Sequence, residues 1–507
     1  MGAVPQQLPF WQSYAVRAND GKGPYSSNLL KDVRFDGEWA QQRSGVTYQF
    51  TAGGAFDSNI GLVATRRTGF TIDPSTRLLV AGVSVDAVTF VSAGEVYITG
   101  SDGSRNLLSS GGTLTVHPYD AVSFVYYTIT GTFQFIASCS SEAWSILIAN
   151  GNASGADIPA MAFPKGMGIA YLDGTLYVMD TSLNGIRGST IQDYTTWPAL
   201  NIVSTGNAWG AGVACYRHLN YILGFFQKAL QVYYNAGLAP PGSPLAPLPN
   251  ASFLIGCLSP KSIVSMADVT IFVGTSTAGN KAVYMLSGLS LTIISPSSVN
   301  NYLQLHSVVT RVKSSEDAWI AYTLVDKGHV LYVLKVREYT VNEAGTAYTG
   351  FRDLKTFVYD FTSQEWSIFT TNQLSVESPF KPNFSSLNYV IGEDLKVNLY
   401  DDSATVDTTG PILAETVGPV MNFQSAYKKF IHKFSLHGDT IVGKAVCQYS
   451  DDDYTTYSAA VEIDLSKQRK MINRQGSFYN RSYRIQYSQG NLYRMRGMEV
   501  LVEGGSA

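Results

Sequence analysis

The sequence predicts an all-β protein, with a six- or seven-bladed β-propeller followed by a C-terminal β-sandwich-like domain. Composition is the first reason: the 507 residues include 31 Tyr, 24 Phe and 46 Gly, and only 15% are charged, which is typical of strands joined by tight turns. The second is a hairpin that recurs along most of the chain. The third is a set of longer strands after residue 415, whose alternating polarity indicates a sandwich.

The recurring hairpin has a short apolar strand, a tight turn and a second strand with an aromatic residue. Its copies are separated by 38 to 75 residues, and most separations are near the roughly 40–50 residues of a propeller blade. The longest separation holds an extra hairpin at 318–339. We therefore place the propeller at 51–414. One aromatic marks each copy: Tyr97, Phe135, Tyr177, Tyr233, Tyr284, Tyr359 and Tyr400.

Three segments do not follow the repeat. Residues 1–50 are expected to form an extended segment joining the propeller or an adaptor, and they show no signal-peptide pattern. Residues 237–249 contain five prolines, so we expect a surface excursion between blades. Pro296–Ser307 is expected to hold a short helix. No segment is a continuous apolar helix of bilayer length, so we expect no membrane insertion.

Charge is distributed unevenly between the two domains. The chain carries a net −3, whereas residues 415–507 carry 12 cations against 9 anions. Eight of these cations are interleaved with aromatics in one acid-free stretch. They fit a solvated strand face, inter-subunit salt bridges or contacts with a DNA backbone, although the overall charge is not that of a typical nucleic-acid binder. The eight are Lys467, Arg469, Lys470, Arg474, Arg481, Arg484, Arg494 and Arg496.

Catalytic and metal-binding patterns are weak. His432 and His437 are five apart, and such residues of a regular strand lie on opposite faces, so they are poor metal co-ligands. The four cysteines lack metal-ligand spacing and are expected to be buried thiols. We find neither a nucleophile elbow nor a phosphate-binding P-loop. We therefore expect no enzyme activity, no metal and no cofactor.

The sharpest local motif is Ser450–Tyr457, SDDDYTTY. It lacks the glycine and distal glutamate of a calcium-binding EF-hand loop. It is closer to the Asp-box hairpin, Ser-x-Asp-x-Gly-x-Thr-Trp, with Tyr454 in the place of the glycine. In that hairpin the Ser and Asp side chains bind the turn backbone. The sequence thus predicts a structural turn formed by Ser450, Asp452, Thr456 and Tyr457.

Several landmarks, taken in order, resemble the packaged-DNA stabilisation proteins of short-tailed bacteriophages, also called tail hub or nozzle proteins. The resemblance covers essentially the whole chain at low identity. It is carried by the N-terminal Gln6–Pro9, the segment Tyr25–Lys31, the aromatic hairpin Lys228–Gly237, the strand Ala282–Gly288, the pair Phe357–Asp360 and Gln364–Trp366, the turn at 450–452 and the Arg-rich strands at 481–496.

The resemblance implies a structural virion protein, made in a bacterial cytoplasm and built into the tail. Six copies would form a ring below the portal and adaptor proteins, extend the DNA channel, retain the packaged genome and carry a tail needle or fibres. DNA would pass without sequence-specific binding. Because affinity rises with each phosphate neutralised, we expect most of the eight cations to face neighbouring subunits or adaptor acids, and the channel wall to be mixed or acidic.

Two other classes remain open. One is a propeller-type glycan-degrading or glycan-binding tail protein, suggested by the Asp-box-like hairpin and the many aromatics. The other is an ordinary protein-interaction propeller of cellular origin, and the basic C-terminal sandwich and the missing WD signature argue against it. An enzyme of this class would need an Arg and a cluster of carboxylates at the propeller axis.

Overall fold

The structure, a computed structural model, describes most of residues 166–504 and, before residue 166, Arg43, Ser44 and the strands whose bounds follow. In the strands from 62 to 157 only the backbone is described. The gaps after residue 166 are 181–182, 194–195, 205–208, 239–241, 267, 307–318, 342–347, 372–377, 381, 387–388, 393–395, 408–409 and 424–425.

Five strands precede the first blade. All are short, and each pairs with a strand from the distant C-terminal half or from within the group. They are β1 (Val4–Leu8), β2 (Leu29–Lys31), β3 (Val33–Asp36), β4 (Trp39–Gln42) and β5 (Gly45–Thr51).

The first three blades are antiparallel sheets of four strands. Blade 1 contains β6 (Leu62–Arg67), β9 (Val85–Ser92), β10 (Glu95–Gly100) and β11 (Arg105–Leu107), with β7 (Phe70–Ile72) and β8 (Leu79–Ala81) as a separate hairpin. Blade 2 contains β12 (Ser123–Ile129), β13 (Thr132–Ser138), β14 (Ala143–Ala149) and β15 (Asn152–Asp157). Blade 3 contains β16 (Gly166–Leu172), β17 (Thr175–Asp180), β18 (Gly185–Gly188) and β19 (Ile202–Ser204).

The next two blades follow the same plan. Blade 4 contains β20 (Gly212–His218), β21 (Tyr221–Phe226), β22 (Leu230–Asn235) and β23 (Leu245–Phe253). Blade 5 contains β24 (Ile255–Cys257), a 3-10 turn (Pro260–Ser262), β25 (Val264–Ser265), β26 (Val269–Ser276), β27 (Lys281–Ser287) and β28 (Ser290–Ile293). Helix α1 (Ser297–Leu305) follows and packs on β27.

Blade 6 contains β29 (Trp319–Asp326), β30 (His329–Val341), β31 (Tyr348–Asp360) and β32 (Trp366–Ile368). A short pair, β33 (Thr370–Thr371) and β34 (Ser378–Pro379), leads to blade 7. Blade 7 contains β35 (Pro382–Ser386), β36 (Tyr389–Gly392), β37 (Lys396–Asp401) and, as its fourth strand, β5.

The N-terminal strand β5 closes the propeller ring. It pairs antiparallel with β37, from Gly45 opposite Asp401 to Thr51 opposite Lys396. The inner strand β35 lies beside β29 of blade 6 and also beside β6 of blade 1. The described strands therefore form seven blades, within the predicted range, and each predicted hairpin lies in a different blade.

The proline-rich segment differs from the prediction. Its last part enters β23, the outer strand of blade 4, where Leu245 and Pro247 pair with Asn235 and Tyr233. An outer strand needs hydrogen bonds along one edge only, so proline is tolerated there. Residues 239–241 lie outside the described part of the chain.

The C-terminal domain is a sandwich of two antiparallel sheets. Its strands follow a small hairpin of β38 (Val406–Asp407) and β39 (Gly410–Pro411). They are β40 (Ala414–Val417), β41 (Lys429–Gly438), β42 (Lys444–Ser450), β43 (Val461–Asp464), β44 (Lys470–Asn473), β45 (Ser477–Phe478), β46 (Ser482–Tyr487) and β47 (Arg494–Gly504).

One sheet of the sandwich has the order β3-β4-β47-β41-β44, with β1 paired to β47 and β45 to β41. The other has the order β2-β40-β46-β42-β43. Their facing side chains form one core, which includes Phe434, Tyr483, Ile485 and Val500. The segment 1–50, expected to run as an extended connection, thus supplies strands to both sheets and to blade 7. This is a correction: its apolar residues Val33 and Ala40 are buried in the sandwich.

Strand β2 joins the two domains into one sheet. Its Lys31 pairs in parallel with Ile368 of β32, and its other edge pairs antiparallel with β40, Leu29 opposite Val417. Blade 6 and half of the sandwich are therefore a continuous nine-stranded sheet.

Candidate functional site

The Asp-box-like turn lies at the end of β42, beside the junction of the two domains. Ser450 Oγ accepts a hydrogen bond from the backbone N–H of Tyr454 at 3.0 Å and donates one to Asp452 at 2.8 Å. The Asp452 carboxylate also accepts the N–H of Thr456 at 2.9 Å and its hydroxyl at 2.6 Å. These hydrogen bonds from Thr456 lower the pKa of Asp452 to about 2, because they favour the charged form.

Tyr454 occupies the glycine place of the motif with a glycine-like backbone. Its φ is +67°, a left-handed conformation that costs a side-chain-bearing residue about 1–2 kcal/mol. Its ring is buried in the same core cluster as Trp319 and Trp366 of blade 6, and its hydroxyl donates to the carbonyl of Gly418 at 3.1 Å. The turn therefore fastens the sandwich to the propeller, which is a structural role.

The acid-free basic stretch is largely paired within the chain. Arg481 is 1% exposed, binds both carboxylate oxygens of Asp451 at 2.7 Å, and lies between the rings of Tyr449 and Phe478, 3.7 and 4.3 Å from their centroids. A guanidinium held by a bidentate carboxylate and two aromatic faces is positioned to stabilise its own fold.

Arg484 and Arg494 each bind an acid on another strand or loop. Arg484 binds both oxygens of Glu415 at 3.0 and 3.1 Å, and Glu415 is only 1% exposed. Arg494 binds Asp439 at 2.7 and 3.3 Å. Lys470 is buried and donates to the Gly438 carbonyl at 3.2 Å.

The remaining four cations of the stretch are exposed: Lys467, Arg469, Arg474 and Arg496. Lys467 forms a solvent-exposed pair with Asp464 at 3.6 Å. The expectation that most of the eight face neighbouring subunits or adaptor acids is therefore wrong for the four cations with internal partners; for the four exposed ones it stays a prediction. Sequence reasoning missed the intrachain acids because Asp451, Asp439 and Glu415 lie 30, 55 and 69 residues from their arginines.

His432 and His437 lie on the same face of the sandwich, contrary to the prediction. The register of β41 shifts between Ile431 and Lys433, and a bulge changes which side chains point outward. His432 Nε2 lies 2.5 Å from a carboxylate oxygen of Glu503, and His437 Nε2 lies 3.4 Å from one of Glu499. Among the described residues no group of three or more His, Cys, Asp or Glu side chains could hold a metal.

Two buried ionic clusters escaped sequence analysis. Arg43, just before β5, is fully buried, binds the Asp407 carboxylate at 2.6 and 3.0 Å, and donates to the Thr370 carbonyl at 2.7 Å. Its guanidinium lies 5.5 and 4.9 Å from the ring centroids of Phe369 and Phe380. This cluster holds the N-terminal segment where it enters blade 7.

The second cluster lies in blade 6. Lys335 and Arg337 are fully buried and contact the Asp353 carboxylate at 2.5 and 2.7 Å. Burial raises the pKa of Asp353, but the two cations outweigh it and hold that pKa well below its usual range. The Arg43 cluster joins segments 364 residues apart, whereas the Asp353 cluster joins the neighbouring strands β30 and β31; in both, the buried charges are paired without invoking a ligand.

Three cysteines are described, namely Cys215, Cys257 and Cys447, and all are buried free thiols. Burial raises the pKa of Cys215 and of Cys447 to about 12, so neither is a reactive thiolate near neutral pH. In the described part of the chain, no helix has the length and apolar character needed to cross a bilayer.

Three aromatic rings are exposed near one end of β41: Tyr427 (56%), Phe430 (43%) and Tyr479 (60%). Lys429 of β41 pairs with Phe478 of β45, which brings Tyr427 and Tyr479 near the same end of the sheet. Exposed rings of this kind offer flat apolar faces to a ligand or protein.

No family model and no curated protein matches the chain. Solved structures that match include the six-bladed fucose-binding lectin of Aleuria aurantia (9% identity, 65% of this chain and 98% of that chain, TM-score 0.30). Others are the BP39L lectin of Burkholderia pseudomallei (12%, 62% and 98%, TM-score 0.35) and the Pan2 WD40 domain of Neurospora crassa (9%, 68% and 97%, TM-score 0.34). None of these three is a tail protein, and at this level of similarity they carry no information about function.

Proposed function

We propose that the chain is a structural tail hub protein of a short-tailed bacteriophage, without enzyme activity or cofactor. Six copies form a ring below the portal–adaptor complex, extend the DNA channel and carry the distal tail parts. The proposal rests on the ordered sequence landmarks and on one structural observation, the continuous sheet through β32, β2 and β40.

The continuous sheet matters because domains joined by ordinary linkers move relative to one another. Here the join is backbone pairing through β2, with one residue pair to β32 and three to β40, and the Tyr454 ring in the blade 6 core reinforces it. The N-terminal segment adds strands to both domains. A subunit built this way holds its shape under force, which suits a ring through which DNA is driven.

The exposed cations suit contacts between neighbouring subunits better than a continuous DNA-binding surface. Arg469 lies just before β44 and Arg474 just after it, and β44 is the edge strand of one sandwich sheet. Arginine is favoured at protein interfaces. Six copies of a fully basic wall would bind DNA strongly and in a steeply salt-dependent way, whereas in this chain half of the stretch is held by internal partners.

The test is assembly in solution. Purified protein, alone and mixed with the portal–adaptor complex, is measured by mass photometry and negative-stain microscopy, with a six-fold ring as the expected result. Arg469→Glu/Arg474→Glu should reduce ring formation at least tenfold while the circular dichroism spectrum stays unchanged. Lys228→Glu, an exposed reversal on the propeller, is the control. A protein that stays monomeric with the complex present contradicts the proposal.

A second candidate is glycan binding by the sandwich, favoured by the exposed rings of Tyr427, Phe430 and Tyr479. Sugars can stack their apolar faces on such rings. Binding of host-surface polysaccharide that is lost in Tyr427→Ala/Tyr479→Ala would support this function. Unchanged binding in that variant, or no binding at all, would exclude this surface as a sugar site.

A further inference from the structure

A small cavity lies between the two sheets of the sandwich. Most of its wall is apolar, from residues such as Val33, Ala414, Ile485 and Met495. It is just large enough for one water molecule. Its position matters because β4, β40 and the start of β47 meet around it, where the N-terminal segment packs into the C-terminal domain.

Four polar side chains also line this cavity: Gln42, Thr416, Tyr487 and Tyr493. The Tyr487 hydroxyl already has a partner, because it donates to the Asn491 carbonyl at 2.9 Å. Each of the four is at least nine-tenths buried, at 2% exposure. Among the described residues, Gln42 Oε1, Thr416 Oγ1 and the Tyr493 hydroxyl have no hydrogen-bond partner. Gln42 does use its amide nitrogen, which donates to the Ile412 carbonyl at 3.1 Å. Because the amide nitrogen of Gln42 is used in this bond, its oxygen Oε1 is the end of the amide without a partner.

Three unpaired atoms around one cavity are costly unless something bridges them. A buried polar group without a partner forfeits its hydration, and burial also raises the pKa of Tyr493, so its hydroxyl stays protonated and able to donate. The set offers one carbonyl acceptor and two hydroxyls that donate or accept. A water molecule needs two to four such partners.

We propose that the sandwich binds one structural water, held by Gln42, Thr416 and Tyr493. It accepts from the Tyr493 hydroxyl, donates to Gln42 Oε1, and exchanges its remaining hydrogen bond with Thr416. The three residues come from β4, β40 and the segment before β47, so the water links both sheets and anchors the N-terminal strand β4 to the sandwich.

Substituting Thr416→Val gives opposite results for a wet and a dry cavity. If the water is bound, the valine side chain removes one of its three partners, and the unfolding midpoint of the sandwich falls by about 2–4 °C. If the cavity is dry, the hydroxyl is an unpaired group, and replacing it with an isosteric methyl raises the midpoint. Thr356→Val is the matched control, because Thr356 Oγ1 is equally buried and unpaired but does not line the cavity.

The expected outcome is a lower midpoint for Thr416→Val together with an unchanged or higher midpoint for Thr356→Val. A crystal structure of the wild-type protein at about 1.8 Å provides a direct check. It should show a density peak within about 2.7–3.2 Å of all three oxygen atoms. An unchanged or raised midpoint in Thr416→Val, or a crystallographic cavity without that peak, would overturn the proposal. Thr416→Ser keeps the hydroxyl and should keep the peak.

Discussion

Replacing Arg43 with methionine tests how the N-terminal segment closes the propeller. Methionine keeps much of the apolar stem of Arg43 against Phe369 and Phe380 but removes the guanidinium. The buried carboxylate of Asp407, 5% exposed, would then lose its bidentate partner at 2.6 and 3.0 Å. The carbonyl of Thr370 would lose a donor as well.

The expected cost follows from leaving a buried charge unpaired. Breaking one side of such a pair typically costs about 3–5 kcal/mol, whereas removing both charges costs much less. Arg43→Met should therefore lower the free energy of unfolding by about 3–5 kcal/mol, and Asp407→Leu added to it should recover part of that loss. Urea denaturation followed by tryptophan fluorescence measures both values. Hydrogen exchange should show the amides of β5 losing protection first.

The control is Lys444→Met, which breaks an ion pair to Glu462 of similar length, 2.6 Å, but with both side chains about 60% exposed. Because the pair is screened by solvent, that variant should leave the free energy of unfolding nearly unchanged. Arg43 does not hold the closing strand if Arg43→Met costs no more than the control, or if β5 keeps its exchange protection in the variant.

Three further outcomes are expected. The depressed pKa of Asp353 adds folding stability that is complete above the unfolded carboxyl pKa of about 3.9 and is lost as the pH falls through the lower folded value. Asp353→Asn should therefore flatten the fall of the unfolding free energy at acid pH, as measured by urea titrations at several pH values. An unchanged fall would count against this role of Asp353. Tyr454→Gly relieves about 1–2 kcal/mol of backbone strain but loses a buried ring worth about 3–5 kcal/mol. Calorimetry should therefore show a net loss of about 1–4 kcal/mol, and a gain would refute the packing role. Glu415→Gln should cost about 1.5–3 kcal/mol by removing the charged acceptor of Arg484, measured by urea unfolding, with no effect expected from Glu462→Gln.

Local patterns in the sequence predicted the blades, because each hairpin pairs strands that are neighbours in the chain. Pro296–Ser307 likewise contains the observed helix, Ser297–Leu305. The closure by β5 was not predictable in this way, since Gly45 pairs with Asp401, which lies 356 residues further along the chain. The sequence carries no local signal for such a pairing.

The contacts of the candidate site also divide into local ones, which the sequence predicted, and distant ones, which it did not. The turn at Ser450–Tyr457 depends on contacts within four residues, so its motif was recognisable from the sequence. The partners of Arg481 and Arg494 lie on other loops and strands, and a basic stretch without neighbouring acids therefore looked unpaired. Alternation along β41 misplaced His432, because a bulge shifts the register by one residue.

The most direct test of the tail hub proposal is cryo-electron microscopy of virions that carry this protein. The account predicts a six-fold ring on the tail axis, directly below the adaptor, into which the propeller and sandwich fit as one rigid unit joined through β2. Finding the protein instead as separate copies at the tips of fibres, away from the DNA channel, would contradict the account.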